Sequence, residues 1–250
     1  MSTLSVQLYS VRAAFADDPR ETLRRLAAIG FTQVEPYGLF ENAAVLRTAL
    51  GDHGLTAPTA HAQLIGVDQA AVFAAAVECG VRVVIDPFVP ADRWQDAAGV
   101  AATATALNDA AKLAAEHGLT VGYHNHWWEL ESQVDGRNAF EVLADQLDPD
   151  VVLEVDTYWA AAGGADAPAL LRRLGKRVHA LHIKDGDLAT DASGQVPAGQ
   201  GRMPVAEVLA AAPDALRVVE FDAYDSPAGD VFDGIAASHA YLTGLNGGAR

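Results

Sequence analysis

VVLEVDTYW (residues 151–159) and HALHIKD (residues 179–185) decide how this chain folds. Each stretch has the alternation of a short buried strand, in which successive side chains point to opposite faces. The alternation places Glu154 and Asp156 on one face of the first strand, and His182 on the matching face of the second. A carboxylate and an imidazole at the C-terminal ends of strands are the ligands that a divalent metal needs in a parallel sheet.

The whole chain alternates between apolar, strand-like runs and helical stretches rich in Ala and Leu. Eight such units in 250 residues need right-handed crossovers between parallel strands and predict a closed (β/α)8 TIM barrel. No linker is long enough to mark a boundary, so we predict a single domain over residues 1–250 with a flexible tail at about 246–250. The predicted strands are LSVQLYSVR, TQVEPYG, LTAPTAHA, VRVVIDPFV, LTVGYHNH, VVLEVD, HALHIKD and LRVVEFD.

An open, doubly wound sheet is the alternative architecture. It would carry a Gly-rich turn after the first strand, where this chain has SVRAAFADD instead. The barrel is therefore the favoured prediction.

Composition restricts the classes of partner. The formal net charge of −16 disfavours a nucleic-acid phosphate backbone. The chain has a single cysteine, Cys79, and its N-terminus has no basic segment followed by a long apolar run. No apolar stretch approaches the roughly 20 residues needed to cross a bilayer. We expect a cytoplasmic protein with no membrane partner and no nucleic-acid partner.

Polar side chains are predicted at the C-terminal end of nearly every strand, where the active sites of such barrels lie. Burying so many charges unpaired would be costly, and a bound cation would offset the excess of carboxylates. Asp156, His182 and Glu220 recur at the same depth on successive strands, which indicates a shared site. The predicted inward-facing residues are Gln7, Tyr9, Gln33, Glu35, Thr59, His61, Asp86, His124, His126, Glu154, Asp156, His182, Lys184, Glu220 and Asp222.

Single members of this set also have ordinary structural explanations. Glu35, Asp86 or Asp222 alone could cap a helix or accept a hydrogen bond from a loop, and His61 could be a satisfied core histidine. The segment HNHWWELE is either a His/Asn/His cluster with Glu129 reaching back into the barrel mouth, or a hydrogen-bonded loop whose tryptophans pack.

The order and spacing of these motifs resemble those of a known family. The segments SVQLYSVR, VEPYG, AHA, GYHNHWWE, EVDTYW, HIKD, a P-x-G-x-G loop and VVEFD cover the whole chain. Together they resemble the xylose isomerase-like TIM barrels, which include sugar-phosphate isomerases/epimerases, ketose 3-epimerases, inosose dehydratase, 3-keto-glycoside lyases and endonuclease IV. Their order carries the resemblance, since no single motif is highly specific.

The resemblance implies a divalent metal, usually Mn²⁺, with Mg²⁺, Co²⁺ or Zn²⁺ as further possibilities. Carried over to this chain, three ligands fall on Asp156, His182 and Glu220. The fourth, a carboxylate after strand five, is where this sequence departs from the family. His124 stands at the position that looks equivalent, and Glu129 is the nearest carboxylate. We expect Glu129 as the fourth ligand, with His124 as its rival.

The resemblance implies an enzyme that enolises a small sugar or keto-sugar through an enediolate. Reprotonation would give isomerisation or epimerisation, whereas loss of a β-oxygen would make the protein a lyase or dehydratase acting on a 3-keto-sugar or inosose. The expected catalytic residues are His124, Glu220, Lys184 and Glu129. The expected substrate-binding residues are Glu35, His61, His126, Arg202 and Trp127.

The chain has no P-loop and the predicted mouth is acidic, so we expect an uncharged substrate, although Arg202 in PAGQGR could meet a hydroxyl or a phosphate. A homo-oligomer is expected. One competing hypothesis is a catalytically silent sugar-binding subunit. Another is a DNA-repair nuclease, which the acidic charge disfavours.

Overall fold

A curled, parallel seven-stranded sheet forms the centre of the protein. The structure is a computed structural model that describes residues 4–227 and 229–247. The strands are β1 (Leu4–Val6), β2 (Thr59–His61), β3 (Val83–Asp86), β4 (Thr120–His124), β5 (Gln133–Val134), β6 (Arg137–Asn138), β7 (Val152–Asp156), β8 (Val178–Ile183), β9 (Asp185–Gly186), β10 (Gln195–Val196) and β11 (Leu216–Val219). The large sheet has the order β1-β11-β8-β7-β4-β3-β2, and β5 with β6 and β9 with β10 form short antiparallel pairs.

Helices connect the sheet strands, as the alternating pattern of the sequence predicts. In the described part of the chain, three short 3₁₀ turns lie at Leu8–Val11, Ala91–Trp94 and Gly175–Arg177. The α-helices are α1 (Arg12–Asp17), α2 (Pro19–Ile29), α3 (Leu39–Asp52), α4 (Gln69–Glu78), α5 (Ala97–Glu116), α6 (Trp128–Glu131), α7 (Ala139–Gln146), α8 (Thr157–Ala162), α9 (Ala167–Leu174), α10 (Val205–Ala211) and α11 (Val231–Gly247).

The predicted second strand, TQVEPYG, pairs only through isolated bridges. Gln7 pairs with Glu35 and Gln33 pairs with Thr56, both in the parallel sense. The segment therefore lies between β1 and β2 and joins the two edges of the curled sheet. Pro36 has no backbone N–H to donate, which accounts for the failure of this segment to form a regular strand.

The first predicted strand, LSVQLYSVR, is shorter than expected. The regular strand ends at Val6, and the chain turns away from the sheet after Gln7. The Gln7 side chain accepts a hydrogen bond from the backbone N–H of Tyr9 at 3.0 Å, which starts a 3₁₀ turn. Tyr9 is consequently 39% exposed at the mouth of the barrel and does not point inward as predicted.

Helix α2 shows how local sequence sets the outer layer. The Asp18 side chain accepts a hydrogen bond from a backbone N–H of the first turn, and Pro19 occupies the first helical position, where no N–H is needed. Gly30 ends the helix with a positive φ of 119°, which glycine adopts without strain. Leu23 and Leu26 are fully buried on the inner face.

The two faces of the central strands have opposite chemistry. Leu153, Val155 and Leu181 are fully buried members of the hydrophobic core. Glu154 and Asp156 alternate with them and are also fully buried, but they lie among polar side chains at the barrel mouth. The alternation in VVLEVD thus supplies both the core and the floor of a site.

The last described helix, α11, ends at Gly247, which covers the start of the tail expected at about 246–250. The rest of that tail, residues 248–250, lies outside the described residues. Among the described helices, none combines the length and the apolar character needed to cross a membrane.

Candidate metal centre

The C-terminal ends of four sheet strands bring acidic and basic side chains to one place. In the sheet register Asp156 lies opposite His182, and His124 lies opposite Glu154. Glu220 follows the last residue of β11 directly. All five side chains are almost completely buried. Strand register, and not proximity in sequence, therefore assembles this cluster.

One set of four residues, which we call the Asp156 group, comprises His124, Asp156, His182 and Glu220. Each member offers one potential ligand atom, and these atoms all lie within 4.8 Å of one another. His182 Nδ1 lies 2.5 Å from Glu220 Oε2, and His124 Nε2 lies 3.9 Å from Asp156 Oδ2. Two imidazoles and two carboxylates at this spacing form a suitable donor set for a divalent transition metal.

Lys184 is buried beside the Asp156 group. Its ammonium nitrogen lies 2.8 Å from Asp156 Oδ2, 2.8 Å from Glu220 Oε2 and 2.6 Å from Asp222 Oδ2. Its side chain is only 1% exposed. This buried ammonium therefore compensates part, but not all, of the carboxylate charge around it.

A second set, which we call the Glu154 group, comprises His61, His124, Glu154 and His182. Glu154 Oε2 lies 2.6 Å from His61 Nε2, 3.1 Å from His124 Nδ1 and 3.0 Å from His182 Nε2. His124 and His182 each direct one ring nitrogen to Glu154 and the other to the Asp156 group. Carboxylates that bond the second nitrogen of a metal-ligating histidine fix its orientation and tautomer.

Glu35 supports the same arrangement from the segment next to β1. Glu35 Oε1 lies 2.7 Å from His182 Nε2 and 3.3 Å from His61 Nε2, and it accepts a hydrogen bond from the Gln7 side-chain amide at 2.9 Å. His182 is therefore held between two carboxylates on one ring nitrogen and Glu220 on the other.

Burial and neighbouring charges shift the pKa values in this cluster. Burial, and then the charge of His182, lowers the pKa of His124 to about 3, so His124 stays neutral. Burial raises the pKa of Asp156 to about 6, although the Lys184 ammonium opposes this. Burial disfavours a charged His182, but the surrounding carboxylates hold its pKa well above the ordinary value. A neutral imidazole such as that of His124 is the form that binds a metal.

Unpartnered buried oxygens indicate that the residues present fit a cation. Glu35 Oε2 and Glu154 Oε1 are buried and accept no hydrogen bond. Asp156 Oδ2 lies close to Lys184 but accepts no well-directed hydrogen bond. Buried carboxylate oxygens without hydrogen bonds are unfavourable unless a positive charge compensates them. A divalent ion would supply that charge.

A cleft of about 970 Å³ opens above this cluster. Its polar lining residues on the side of the cluster are His61, His124, His126, Glu220 and Asp222. The cluster is therefore accessible to a small molecule from the C-terminal side of the sheet, where the active sites of α/β barrels lie.

Comparison with known proteins identifies the family. Residues 6–215 match the model of the xylose isomerase-like TIM barrel family. The chain belongs to this family. The predicted family and the predicted barrel fold are both confirmed.

Solved structures of other proteins share the fold over nearly the whole chain. A sugar phosphate isomerase/epimerase from Parabacteroides distasonis is 22% identical, with a TM-score of 0.84 over 96% of this chain and 93% of that chain. The probable 3-DHS dehydratase AsbF from Bacillus anthracis is 16% identical, with a TM-score of 0.73 over 96% and 98%. The IolI protein, solved with a bound zinc atom, is 14% identical, with a TM-score of 0.68 over 98% of both chains. No curated protein matches this chain in sequence.

Glu129, the expected fourth ligand of this xylose isomerase-like barrel, lies outside both groups. It is fully buried, but its carboxylate accepts hydrogen bonds from the Tyr123 hydroxyl at 2.6 Å and from the His126 backbone N–H at 2.9 Å. His124, the rival candidate, lies in both groups instead. Helix α6 begins at Trp128 and places the Glu129 carboxylate against the Tyr123 hydroxyl. The identity of the fourth ligand stays a prediction.

Two expected substrate-binding residues do not line the cleft. Arg202 is exposed and donates to the backbone carbonyl of Asp187 at 3.1 Å. Trp127 is half-buried against the core and packs edge-on against Trp128, with the ring centroids 5.6 Å apart. The sequence had left open whether the tryptophans of HNHWWELE pack in this way, and Trp127 does so.

The remaining expected residues lie at the cluster or in the cleft. His61 and His126 line the cleft, and Glu35 lies in the cluster below it. His126 stacks on Trp128 at 4.3 Å, and its Nδ1 has no hydrogen-bond partner. Lys184 forms an ion pair with Asp156, with 2.8 Å between Nζ and Oδ2.

Glu154 is the residue whose role the sequence did not reveal. The strand alternation places it on the inward face beside Asp156, which was the available signal. Its contacts with histidines from β2, β4 and β8 depend on the curvature of the sheet and have no local signature. The sequence also did not predict the hydrogen bond from the Tyr123 hydroxyl to Glu129, because Tyr123 lies on the apolar face of its strand.

Replacing Glu129 with Gln should change how stability depends on pH. Burial raises the pKa of Glu129 to about 8, so the folded state retains a proton that the unfolded chain releases near pH 4.3. The folded state of the wild type therefore loses stability as the pH rises from about 4 to 8, by up to ~1.4 kcal/mol per unit. Glu129→Gln, which mimics the neutral acid, should lack this slope in urea unfolding at pH 5, 6 and 7. Parallel slopes for the two proteins would contradict the prediction.

Proposed function

We propose that this protein is a divalent-metal-dependent enzyme that enolises an uncharged sugar or keto-sugar. The observation that carries the proposal is the Asp156 group, in which four potential ligand atoms lie within 4.8 Å of one another at the floor of an open cleft. His124, Asp156, His182 and Glu220 would hold the metal, with His124 in the place where Glu129 was expected. Mn²⁺ is the proposed metal, on the resemblance to the family.

The metal, when bound, would polarise a substrate carbonyl and its neighbouring hydroxyl, which makes the adjacent C–H more acidic. The protein's own residues would hold the ligands in place. Glu154 and Glu35 bond the histidine nitrogens that face away from the Asp156 group. Lys184 keeps Asp222 as a partner, so it stays paired if Asp156 and Glu220 turn towards a cation.

His126 is the proposed proton carrier. It lines the cleft, belongs to neither group and has an unpartnered Nδ1. Burial, and then His124 and Lys184, hold the pKa of His126 well below its usual value, so its imidazole is in the neutral form, in which one ring nitrogen carries no proton. The stacked Trp128 ring fixes the plane of the imidazole.

A lyase or dehydratase is the second candidate, and the position of Glu129 favours it. Epimerisation needs proton transfer on both faces of the sugar, and Glu129 is engaged by Tyr123 and His126. A single proton carrier, His126, suffices to remove the α-proton and return it to a departing β-oxygen. The substrate of this alternative would be a 3-keto-sugar or an inosose.

The test combines elemental analysis of the purified protein with NMR detection of solvent deuterium in a panel of ketoses and 3-keto-glycosides. We expect close to one divalent metal per chain and metal-dependent incorporation of deuterium at the carbon next to the carbonyl. Exchange without loss of oxygen indicates isomerisation or epimerisation, whereas an unsaturated product indicates the lyase. Metal binding without exchange on any substrate would favour a catalytically silent sugar-binding subunit.

Replacing Glu154 with Gln should weaken metal binding without removing a proposed ligand. The amide cannot satisfy three histidine nitrogens as the carboxylate oxygen does, so the orientation of His124 and His182 is lost. Loss of such outer-shell partners typically lowers metal affinity by about 10- to 100-fold. Titration of metal-free protein with Mn²⁺ measures the effect.

Asp86→Asn provides the matched control for Glu154→Gln. Asp86 is also a buried carboxylate, but it accepts hydrogen bonds from the backbone N–H groups of Leu64, Ile65 and Phe88. Its replacement should affect stability and leave the affinity for Mn²⁺ unchanged. An equal loss of affinity in both variants would assign the effect of Glu154 to general damage of the fold.

A further inference from the structure

Exposed apolar side chains are concentrated around the cleft. Among the described residues, six large hydrophobic side chains are exposed, and four of them line the cleft. These four, which we call the apolar rim, are Tyr9, Phe40, Val67 and Phe88, with exposed fractions of 39%, 55%, 42% and 48%. Contiguous exposed apolar surface next to a polar site typically marks a binding surface.

The apolar rim and the polar floor belong to one continuous cleft. Its volume of about 970 Å³ lies at the upper end of the range of roughly 300–1,000 Å³ found for drug-sized ligands. The floor, with His61, His126 and Glu220, offers hydrogen-bonding groups for a polyol ring. A single sugar ring placed there would leave the rim without a partner.

The charge of the cleft restricts the second part of the ligand. The described residues that line it include the acids Glu41, Asp68, Glu220 and Asp222, but neither lysine nor arginine. The nearby Arg12 lies over the Tyr9 ring at 4.2 Å and is not part of the lining. A phosphate group would therefore meet acids and aromatic rings without a cationic partner.

Neighbouring aromatic groups hold two of the rim rings in place. Tyr9 packs edge-on against Tyr37, with centroids 5.5 Å apart and planes at 85°. Phe88 packs edge-on against His126 at 5.6 Å and against Trp128 at 5.6 Å. Rings that are already ordered lose little conformational entropy when a ligand packs on them.

We infer that the substrate is a glycoside that carries an apolar, aromatic substituent. The sugar ring binds at the floor, and the substituent packs against Phe40, Phe88 and Tyr9. The assignment of the sugar ring to the floor rests on the proposed function, whereas the preference for an apolar group rests on the rim itself. The ligand is neutral, because its outer part faces aromatic rings and acids.

The test measures binding of unreactive glycosides to the metal-loaded protein by calorimetry. We expect phenyl β-D-glucopyranoside to bind at least about tenfold more tightly than methyl β-D-glucopyranoside, and glucose 6-phosphate to bind more weakly than either. The double variant Phe40→Ala/Phe88→Ala should lower the affinity for the phenyl glycoside to that for the methyl glycoside. Its affinity for the methyl glycoside should stay within about twofold of the wild type.

Val77→Ala is the matched control, since Val77 is 51% exposed and lies outside the cleft. It should leave both affinities unchanged. Equal binding of the methyl and phenyl glycosides by the wild type would overturn the inference. A second result would also overturn it. If sedimentation shows that the wild type is a dimer and the double variant a monomer, and the two proteins have the same glycoside preference, then a second copy of the chain covers the rim.

The glycoside-binding test and the deuterium-exchange test distinguish a failure of this inference from a failure of the proposed function. A phenyl preference that depends on the rim, without deuterium exchange on any ketose, would uphold the aromatic-group site and reject the enolising enzyme. Deuterium exchange on a free ketose, without a phenyl preference, would uphold the enzyme and reject the aromatic substituent.

Discussion

Replacing Glu220 with Gln is expected to lower solvent deuterium exchange by more than about 100-fold. The amide has the shape of the carboxylate but lacks its charge, and Glu220 Oε2 contacts both His182 Nδ1 at 2.5 Å and Lys184 Nζ at 2.8 Å. Loss of an outer-shell partner already costs about 10- to 100-fold, so loss of a direct ligand should exceed that range. Metal analysis and NMR of the exchanged substrate measure the two consequences in one preparation.

Glu129→Gln is the matched control for Glu220→Gln. Both residues are buried glutamates at the same end of the barrel, but only Glu220 belongs to the Asp156 group. Glu129→Gln should keep its metal content and most of its exchange rate. If Glu129→Gln loses its metal and Glu220→Gln retains it, Glu129 is a ligand and the proposed centre is rejected.

Replacing Lys184 with Met is expected to destabilise the metal-free protein by roughly 3–5 kcal/mol, as found when one partner of a buried ion pair is removed. Lys184 neutralises carboxylates of Asp156, Glu220 and Asp222 at 2.6–2.8 Å, and its side chain is 1% exposed. Methionine fills much of the same volume but removes the cation beside the buried carboxylates of Asp156 and Glu220. Urea unfolding measures the free energy of unfolding with and without Mn²⁺.

The effect of Mn²⁺ distinguishes charge from packing in the Lys184→Met variant. A divalent cation restores positive charge beside Asp156 and Glu220, so Mn²⁺ should stabilise the variant more than the wild type. Lys112→Met is the control, because Lys112 pairs with Asp109 on the surface, where both side chains are more than 60% exposed. That variant should unfold like the wild type. Equal stabilisation of the Lys184→Met variant and the wild type by Mn²⁺ would contradict a role for charge compensation.

The fold was largely predictable because its pattern is local. Strand alternation and helix signals such as Asp18, Pro19 and Gly30 depend on neighbouring residues. The errors arose where tertiary constraints override that pattern. The Gln7 side chain accepts a hydrogen bond from the backbone N–H of Tyr9, and Tyr9 therefore does not continue the strand into the barrel interior. The segment before Pro36 pairs with its neighbours only through isolated bridges.

The candidate site was predictable in part. Asp156, His182 and Glu220 were expected together and lie together, since each stands at the end of a parallel strand. The sequence did not show which of His124 and Glu129 lies beside Asp156, because the position of Glu129 depends on the turn into α6. Glu154 could be placed on the inward face, but its three histidine partners come from three other strands.

The sequence by itself determined which side chains of the regular strands face the interior of the barrel, because a strand alternates its faces with a period of two residues wherever it lies. Only the tertiary structure decided which of them meet. Glu154 lies 93 residues after His61 and 28 residues before His182, and the curvature and register of the sheet bring a ring nitrogen of each histidine within 3.0 Å of Glu154 Oε2. The apolar rim arises in the same way, because the cleft brings together Phe40 from the first turn of α3, Val67 from the connection after β2 and Phe88 from the connection after β3.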